Sequence, residues 1–283
     1  ECEVTDGFKK NDMKKLLISS PAKINLHLQV IRKRRDGFHD ISTAFQLIDL
    51  FDELSFEVTS GNIELEQEPW PIEDNLVLKA ARELKEFTQT SQGAKILLKK
   101  KIPVLKGLGG GSSNAATTLV VLNKMWETQL SYEQLVQIGS SLGSDIPFFI
   151  YGKNAWAQGR GEILQPIELK PRYFILVFPV TEISTKKAFQ NIKVQDENIV
   201  SLDDFQRGIT KNSFTDWARK TYIEIDELFN ELEEIGEARL TGTGSAIFVA
   251  FNDKEEATRN LSKFPQSILV KSIDHSPLMQ LIE

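Results

Sequence analysis

A glycine-rich segment is the part of the sequence best suited to chemistry. Residues 107–114 read Gly-Leu-Gly-Gly-Gly-Ser-Ser-Asn and lie between a predicted strand and a predicted helix. Glycine lets backbone N–H groups approach an anion without an intervening Cβ, and a helix N-terminus adds unpaired N–H groups and a positive dipole end. The segment therefore predicts a phosphate-binding loop, although a flexible glycine turn without a ligand has a similar composition.

Two better-known nucleotide motifs do not fit the sequence. A Walker loop requires Gly-Lys followed by Ser or Thr, whereas Lys153 is followed by Asn154. A dinucleotide fingerprint starting at Gly107 or Gly109 would place a serine or an asparagine where its last small residue belongs. The phosphate loop is therefore of another kind.

A second glycine motif is typical of hydrolases. Residues 139–143 match G-x-S-x-G, but the hydrolase elbow runs from a strand into a helix. Here the segment leaves a predicted helix and enters a predicted strand over residues 146–151. We interpret Gly139 and Gly143 as helix-ending residues, with Gly143 predicted in the left-handed conformation.

Alternating residues predict the first strands of the chain. Residues 23–30 alternate apolar and polar side chains, which predicts a half-buried strand. Asp36-Gly37 predicts a hairpin turn into a second strand over residues 41–48. The polar side of the first strand carries Lys23, Asn25, His27 and Gln29.

Further periodic segments surround the glycine loop. Strand character recurs between residues 53 and 66, a helix capped by Asp74 follows, and a strand over 94–102 leads into the loop. Apolar residues at helical spacing then predict one helix after the loop and another over 132–141.

The periodic pattern pauses at residues 166–172, where we predict a boundary between domains 13–168 and 169–283. Beyond it we predict a strand over 173–178, a helix over 186–192 and a helix around 225–235. Strands near 238–240 and 246–251, a helix over 254–264 and a strand over 268–273 follow. This order predicts an α+β fold with a ferredoxin-like sandwich, whereas residues 193–212 are too polar for a prediction.

Composition excludes several classes of protein. The 283-residue chain carries a net charge of −6, which argues against nucleic-acid binding. Its single cysteine, Cys2, and three scattered histidines favour neither a disulfide framework nor a metal centre. No apolar run is long enough to span a membrane, so we expect a cytoplasmic protein. We also expect the natural chain to start at Met13, with residues 1–12 a tag remnant or an unstructured extension.

Five segments, in this order, resemble the GHMP kinases. They are residues 20–26, 36–39, 107–116, 142–148 and 239–244. Together they are most similar to the branch that acts on a cytidine-diphosphate-linked methylerythritol, and the resemblance covers essentially residue 15 to the C-terminus. It implies a ribosomal-S5-like N-terminal domain that binds ATP and a ferredoxin-like α/β sandwich C-terminal domain that binds substrate.

The resemblance implies a small-molecule kinase of the non-mevalonate isoprenoid route. It would transfer a phosphoryl group from ATP, accompanied by Mg²⁺, to the 2-hydroxyl of the methylerythritol substrate. A carboxylate can accept the proton of the attacking hydroxyl, and Asp145 matches that place, although from local sequence alone it could equally be a helix-to-strand cap. Lys23 would hold Asp145 ionised, instead of being an exposed strand lysine. Serine hydroxyls of the loop would contact phosphate or Mg²⁺. The expected ATP-binding residues are Pro103, Val104, Leu105, Lys106, Gly107, Leu108, Gly109, Gly110, Gly111, Ser112 and Ser113.

For the substrate, the resemblance places aromatic side chains and a histidine around the cytosine ring. Phe38 stands where a tyrosine is usual, so stacking is retained and a phenolic hydrogen bond is lost. Lys106 stands where small residues are usual, and either reaches a phosphate or is solvated. Residues 242–244 either lie against the nucleotide loop or form only a tight hairpin. The expected substrate-binding residues are Asn25, Phe38, His39, Thr181 and Phe189.

Alternative functions remain open at this point. Another GHMP kinase, of the homoserine or mevalonate type, is disfavoured by the turn at residues 36–39 and by Phe189. A nucleotide-binding module without catalysis is disfavoured by Lys23 and Asp145 together. We expect small-molecule partners, no nucleic acid or membrane, and a monomer or weak homodimer.

Overall fold

The computed structural model describes residues 15–68, 75–192, 194 and 198–282. The expected start at Met13, and the leader before it, lie outside the described residues, as does the predicted cap Asp74. The helix that Asp74 was expected to cap is capped by the next residue, because the Oδ1 of Asn75 accepts a hydrogen bond of 2.8 Å from the Val77 amide.

The strands confirm most of the predicted pattern. The turn at Gly37 joins the first two strands into an antiparallel hairpin, as predicted. A short hairpin after residue 154 was not predicted. In chain order the described strands are β1 (Lys15–Lys33), β2 (His39–Ser60), β3 (Ile63–Glu68), β4 (Gln92–Lys99), β5 (Ala155–Gln158), β6 (Ile163–Pro166), β7 (Tyr173–Val177), β8 (Ala238–Leu240), β9 (Ile247–Phe251) and β10 (Ser267–Ile273).

The described helices include every helix that was predicted. Four more were not predicted as helices, at residues 146–151, 202–206, 215–221 and 279–282. The glycine loop leads directly into the second helix, as predicted. In chain order the described helices are α1 (Leu76–Thr88), α2 (Gly110–Met125), α3 (Tyr132–Leu142), α4 (Ile146–Tyr151), α5 (Thr185–Asn191), α6 (Leu202–Gln206), α7 (Thr215–Thr221), α8 (Ile223–Glu233), α9 (Lys254–Leu261) and α10 (Met279–Ile282).

Residues 146–151 form helix α4, so the prediction of a strand there was wrong. A short apolar run does not distinguish a buried strand from a buried helix. Here residues 146–150 are buried mainly against α2 and α3, with Phe148 stacked on Phe45 of β2. Gly143 has φ of −179° and ψ of 147°, so its predicted left-handed conformation was also wrong. The hydrolase motif remains excluded, because Ser141 lies inside α3 and donates to the Ile138 carbonyl.

The polar face of β1 is fully buried, so the prediction of a half-buried strand was wrong. Lys23, Asn25, His27 and Gln29 are each at most 4% exposed. The C-terminal half covers them and supplies hydrogen-bond partners. Thr241 Oγ1 accepts from the Asn25 amide at 3.0 Å, and the Val200 amide donates to Gln29 Oε1 at 2.9 Å.

His27 is neutral within this face. Its ring stacks on Trp156, with ring centroids 5.2 Å apart. Nδ1 accepts from the Lys211 amide at 3.1 Å, so the hydrogen of the neutral ring is on Nε2, 3.2 Å from Ser42 Oγ. Burial, helped by the charge of Lys211, lowers the pKa of His27 to about 4.

One mixed sheet runs through both halves of the described chain. Its order is β3-β4-β2-β10-β7-β9-β8, with β1 and β5 also paired to β2 and β6 paired to β5. Among the strands that the structure describes, only β3 and β4 are parallel neighbours. Helices α1 to α4 cover the N-terminal part of the sheet, and a second core lies between β7 to β9 and the C-terminal helices. The predicted boundary at residue 168 falls between β6 and β7 and stays a prediction.

Among the described residues, no helix is long and apolar enough to cross a membrane.

Candidate active site

The glycine segment is shaped by close contact with its neighbours. Gly107 and Gly109 have φ of 75° and 71°, which favours glycine. A Cβ on Gly107 would lie 2.2 Å from the Thr241 carbonyl oxygen, and one on Gly109 would lie 2.9 Å from the Phe149 ring and 3.1 Å from Lys23 Cε. Side chains at both positions would displace the segment or Lys23.

Helix α2 begins at Gly110 without a side-chain cap. Its N-cap residue is Gly109, which has no side chain that could accept from the first-turn amides. The N–H groups at a helix start have no partner within the helix, and they attract anions together with the helix dipole. The uncapped helix start is compatible with the predicted phosphate-binding loop, which stays a prediction.

The two serines of the segment differ in their surroundings. Ser113 is 1% exposed and shares a hydrogen bond of 2.7 Å with Ser20, so its hydroxyl is used inside the protein. Ser112 is partly exposed, and its Oγ lies 3.9 Å from where a Cβ of Gly143 would be. Ser112 therefore lies beside the turn that leads to Asp145 and is the better placed of the two to contact a ligand.

Lys23 and Asp145 lie together at the same edge of the glycine segment. Lys23 Nζ is 3.6 Å from Asp145 Oδ2, and the side chains are 4% and 30% exposed. Asp145 occupies the N-cap position of α4 but its side chain makes no capping hydrogen bond, so it is not the structural cap that local sequence allowed. Its carboxylate is open on one side and paired with an ammonium on the other.

Burial lowers the pKa of the Lys23 ammonium, and the charge and hydrogen bonding of Asp145 oppose that change. Nζ also donates to Asn25 Oδ1 at 2.6 Å and to the Gly107 carbonyl at 3.0 Å. These oxygens fix the position of the ammonium at the junction of β1 and the glycine segment.

Asn25 orients Lys23. Its Oδ1 accepts from Lys23, while its Nδ2 donates to Thr43 Oγ1 at 2.7 Å, and Thr43 in turn donates to the His27 carbonyl at 2.6 Å. Thr241 Oγ1 bonds both the Asn25 amide and, at 3.3 Å, the Gly107 carbonyl. Residues 242–244 also lie against the glycine segment, as one of the two expectations for them stated, because a Cβ on Gly242 would lie 3.2 Å from the Gly107 carbonyl oxygen.

Lys106 matches neither expectation for it. Its Nζ donates to the carbonyls of Pro179 at 2.7 Å and Thr181 at 3.0 Å, and to Ser245 Oγ at 3.2 Å. Burial lowers the pKa of the ammonium, while the charges of Glu182 and Glu224 oppose the change. All three acceptors are in the C-terminal half, so the partly exposed side chain is bound to the protein and is not free to reach a phosphate.

The residues expected around the cytosine ring are only partly brought together. His39 and Phe189 have ring centroids 5.0 Å apart, and burial lowers the pKa of His39 with help from Lys33. Phe38 is 49% exposed and its ring is covered on one face by the Arg160 guanidinium, 3.8 Å from the centroid. Thr181 is occupied elsewhere, because its hydroxyl donates to Glu224 at 2.5 Å.

Arg160 is a candidate site residue that sequence reasoning missed. Its Nε is buried and has no hydrogen-bond partner among the described residues. Its loop touches both ends of the site. The Gly159 carbonyl accepts from the Ile41 amide at 2.7 Å, and a Cβ on Gly161 would lie 3.6 Å from the Ser144 carbonyl oxygen. The only signal in the sequence was an arginine between two glycines.

Lys100 and Asp52 were also missed. Asp52 is fully buried and accepts from the amides of Lys101 at 2.7 Å and Ile102 at 2.8 Å, and from Asn114 Nδ2 at 2.8 Å. Lys100 pairs with Asp52, and its Nζ lies 3.2 Å from where a Cβ of Gly110 would be. A second ammonium is thus held at the start of α2.

Metal binding by the protein alone has little support. The part of the chain that the structure describes contains no group of three or more His, Cys, Asp or Glu able to hold a metal ion.

A partly exposed apolar strip lies before the glycines. It consists of Pro103, Val104 and Leu105, with Val104 45% and Leu105 52% exposed. Such a strip suits an aromatic base better than an ion.

Comparisons with known proteins identify the family of the chain. The family description "GHMP kinases N terminal domain" matches residues 75–153, and "GHMP kinases C terminal" matches residues 197–267. The 4-diphosphocytidyl-2-C-methyl-D-erythritol kinase of Nitrosococcus oceani is 42% identical over 275 residues, which cover 95% of this chain and 98% of that protein. The protein of that name from Shewanella loihica is 40% identical, with 92% of this chain and 94% of the relative covered.

Solved structures give the same result. A crystal structure of 4-(cytidine 5'-diphospho)-2C-methyl-D-erythritol kinase superposes with a TM-score of 0.79 at 30% identity, covering 91% of this chain and 99% of the other. A homoserine kinase from Cytophaga hutchinsonii has a TM-score of 0.66 at 16% identity, covering 96% and 98%. The second likeness concerns the fold alone.

Proposed function

The chain belongs to the 4-diphosphocytidyl-2-C-methyl-D-erythritol kinase family of the GHMP kinases, and on that basis we propose that it phosphorylates the 2-hydroxyl of 4-diphosphocytidyl-2-C-methyl-D-erythritol. ATP donates the γ-phosphoryl group, and the products are the 2-phosphate and ADP. The reaction belongs to the methylerythritol phosphate route to isoprenoid precursors. The N-terminal domain, residues 13–168, binds ATP and residues 169–283 complete the substrate site.

The observation that carries the proposal is the pairing of Lys23 with Asp145 beside the uncapped start of α2. In phosphoryl transfer the protein mainly positions the reactants and stabilises the charge spread over the transferred group. Asp145 accepts the proton of the 2-hydroxyl as its oxygen bonds phosphorus. Lys23 pairs with Asp145 and lies where it can stabilise negative charge on the transferred phosphoryl group.

The start of α2 holds the phosphates of ATP through its backbone amides, supported by the ammonium of Lys100. Mg²⁺ would neutralise phosphate charge, and it usually keeps several waters and few protein ligands. The partly exposed hydroxyl of Ser112 is a suitable oxygen donor for it. The apolar side chains of Val104 and Leu105 provide a surface for the adenine.

At the other end, His39, Phe189 and Phe38 provide an aromatic surface for the cytosine. Arg160 stacks on Phe38 and carries an unpaired donor, on a loop that also touches Ser144 beside Asp145. A cation there suits a substrate whose diphosphate joins the base to the reacting alcohol. Because both substrates are highly charged and do not cross membranes unaided, we place the reaction in the cytoplasm.

The deciding experiment is ADP release from ATP and Mg²⁺ with four alcohols, namely the cytidyl substrate, homoserine, mevalonate and galactose. Turnover with the cytidyl substrate alone is the expected result. Turnover with another alcohol would replace the proposed substrate by that alcohol. ATP binding without turnover on any of the four would identify a non-catalytic nucleotide-binding module.

A further inference from the structure

The ammonium of Lys106 joins the glycine segment to the other half of the molecule. An ammonium has three donors, and Pro179, Thr181 and Ser245 provide three acceptors within 3.2 Å. Two of them are backbone carbonyls of residues 179–181, which lie between β7 and α5. We name residues 179–181 the β7–α5 loop.

The β7–α5 loop is held from its other side by Glu224, in the first turn of α8. The carboxylate of Glu224 accepts from the Val180 amide at 2.6 Å and from the Thr181 amide at 2.9 Å. The carbonyls of the loop thus point to Lys106 and its amides to Glu224. Two opposite charges fix one short stretch of backbone from two sides through charge-assisted hydrogen bonds.

Both ends of this arrangement lead to the proposed active site. Lys106 precedes Gly107, whose carbonyl accepts from Lys23 Nζ at 3.0 Å. The β7–α5 loop precedes α5, which carries Phe189 against His39. A shift of the loop would therefore move the aromatic surface at the substrate end relative to the phosphate end.

We propose that Lys106 is a positioning residue that connects the glycine segment to the β7–α5 loop. It thereby sets the position of the substrate end of the site relative to the ATP end. The inference rests on the proposed function for the identity of the substrate. The contacts of Lys106 with the β7–α5 loop do not depend on that function. This positioning role differs from a phosphate contact, in which Lys106 would act on ATP alone.

The test compares Lys106→Met, which keeps the length of the side chain and removes its charge, with Lys106→Arg, which keeps the charge and donors. Lys263→Met, on an exposed lysine, is the matched control. The first measurement is hydrogen exchange at the Val180 and Thr181 amides. Exchange should be faster in Lys106→Met, intermediate in Lys106→Arg and unchanged in the control. Unchanged exchange in Lys106→Met would overturn the proposed connection between Lys106 and the β7–α5 loop.

The second measurement is steady-state kinetics. Lys106→Met should raise KM for the cytidyl substrate about tenfold while KM for ATP changes less than about threefold, with partial rescue in Lys106→Arg. A rise in KM for ATP alone would overturn the positioning role in favour of a phosphate contact. A lower melting temperature with unchanged kinetic constants would overturn it in favour of a purely structural role.

Glu224→Gln provides an independent variant on the far side of the loop, useful if Lys106→Met folds poorly. It should raise KM for the cytidyl substrate in the same direction, because a glutamine amide cannot accept both loop N–H bonds as the carboxylate does. The double variant should show less than the sum of the two effects, and full additivity would contradict a shared loop. If the wild-type enzyme does not turn over the cytidyl substrate, the proposed function fails while hydrogen exchange still decides whether the connection exists.

Discussion

Lys23 Nζ lies 3.6 Å from Asp145 Oδ2, at the point where a sheet strand and a turn between two helices meet. The ammonium is almost completely buried, whereas the carboxylate is 30% exposed. This difference matters for chemistry. The buried cation is fixed by its oxygen neighbours, and the exposed carboxylate is free to meet a hydroxyl group.

Asp145→Asn should lower kcat about 10² to 10⁴-fold, because the amide cannot accept the hydroxyl proton. KM for ATP should change little, since the α2 amides remain. Steady-state ADP release measures both constants. Asp274→Asn, on an exposed aspartate far along the chain, is the control and should behave as wild type. A kcat within threefold of wild type would exclude Asp145 as the base.

Gly109→Ala should reduce the free energy of unfolding by about 1–3 kcal/mol and lower kcat. The position has φ of 71°, and the new methyl group would meet the Phe149 ring and Lys23 Cε. Gly111→Ala is the matched control, because the nearest atom to its Cβ is 3.5 Å away and its backbone is helical. Urea unfolding of both variants measures the difference, and equal stabilities would contradict the crowding at Gly109.

The free energy of unfolding should fall as the pH drops from 6.5 towards 4, by up to about 3 kcal/mol from His27 alone. The folded protein holds the His27 pKa at about 4, so the unfolded chain binds the proton first as acid is added. His27→Gln should remove this part of the pH dependence.

Urea unfolding at pH 7 and pH 5 measures the His27 effect, with exposed His275→Gln as the control. The loss between the two pH values should persist in the control and shrink in His27→Gln. Identical losses in the two variants would show that other groups cause the change.

Phe38→Leu should raise KM for the cytidyl substrate about tenfold, because an aromatic face and the Arg160 stacking partner are removed together. KM for ATP should not change. Phe87→Leu is a fair control, since Phe87 is 45% exposed and lies on α1. Equal effects of the two substitutions on substrate KM would argue against a role for Phe38 at the substrate end.

Local patterns predicted the parts of the molecule that local physics determines. The glycine segment, its strand and its helix could be read directly, because a run of small residues before helical periodicity has few other uses. The order of five short segments then identified the family. Those segments contained Lys23 and Asp145, which the fold brings into contact.

Helix α4 was missed although signals for it were present. Pro147 lies in its first turn, and Gly152 directly after its end has φ of 70°. Proline near the start and glycine just past the end are typical of helices. The signals for a helix therefore lie at the two ends of the run, whereas the apolar run between them is compatible with a strand as well.

Long-range contacts outside the family motifs could not be predicted from local patterns. Residues from the C-terminal half bury the polar face of β1 and accept the hydrogen bonds of Lys106. In the same half, Glu224 accepts the hydrogen bond of the Thr181 hydroxyl. No spacing within one segment encodes them. Arg160 was missed for the same reason, since only the folded hairpin brings it to Phe38.

The buried polar face of β1 has a consequence for how the enzyme unfolds and loses activity. The side chains of Gln29 and His27 accept from residues 200 and 211, and the Asn25 backbone amide donates to Thr241. The same strand carries Lys23. Partial unfolding of the C-terminal half would break these hydrogen bonds and would disturb β1 at the same time. The two halves should therefore melt as one cooperative unit, with no active fragment surviving partial denaturation or limited proteolysis, so that residual activity reports the fraction of intact molecules.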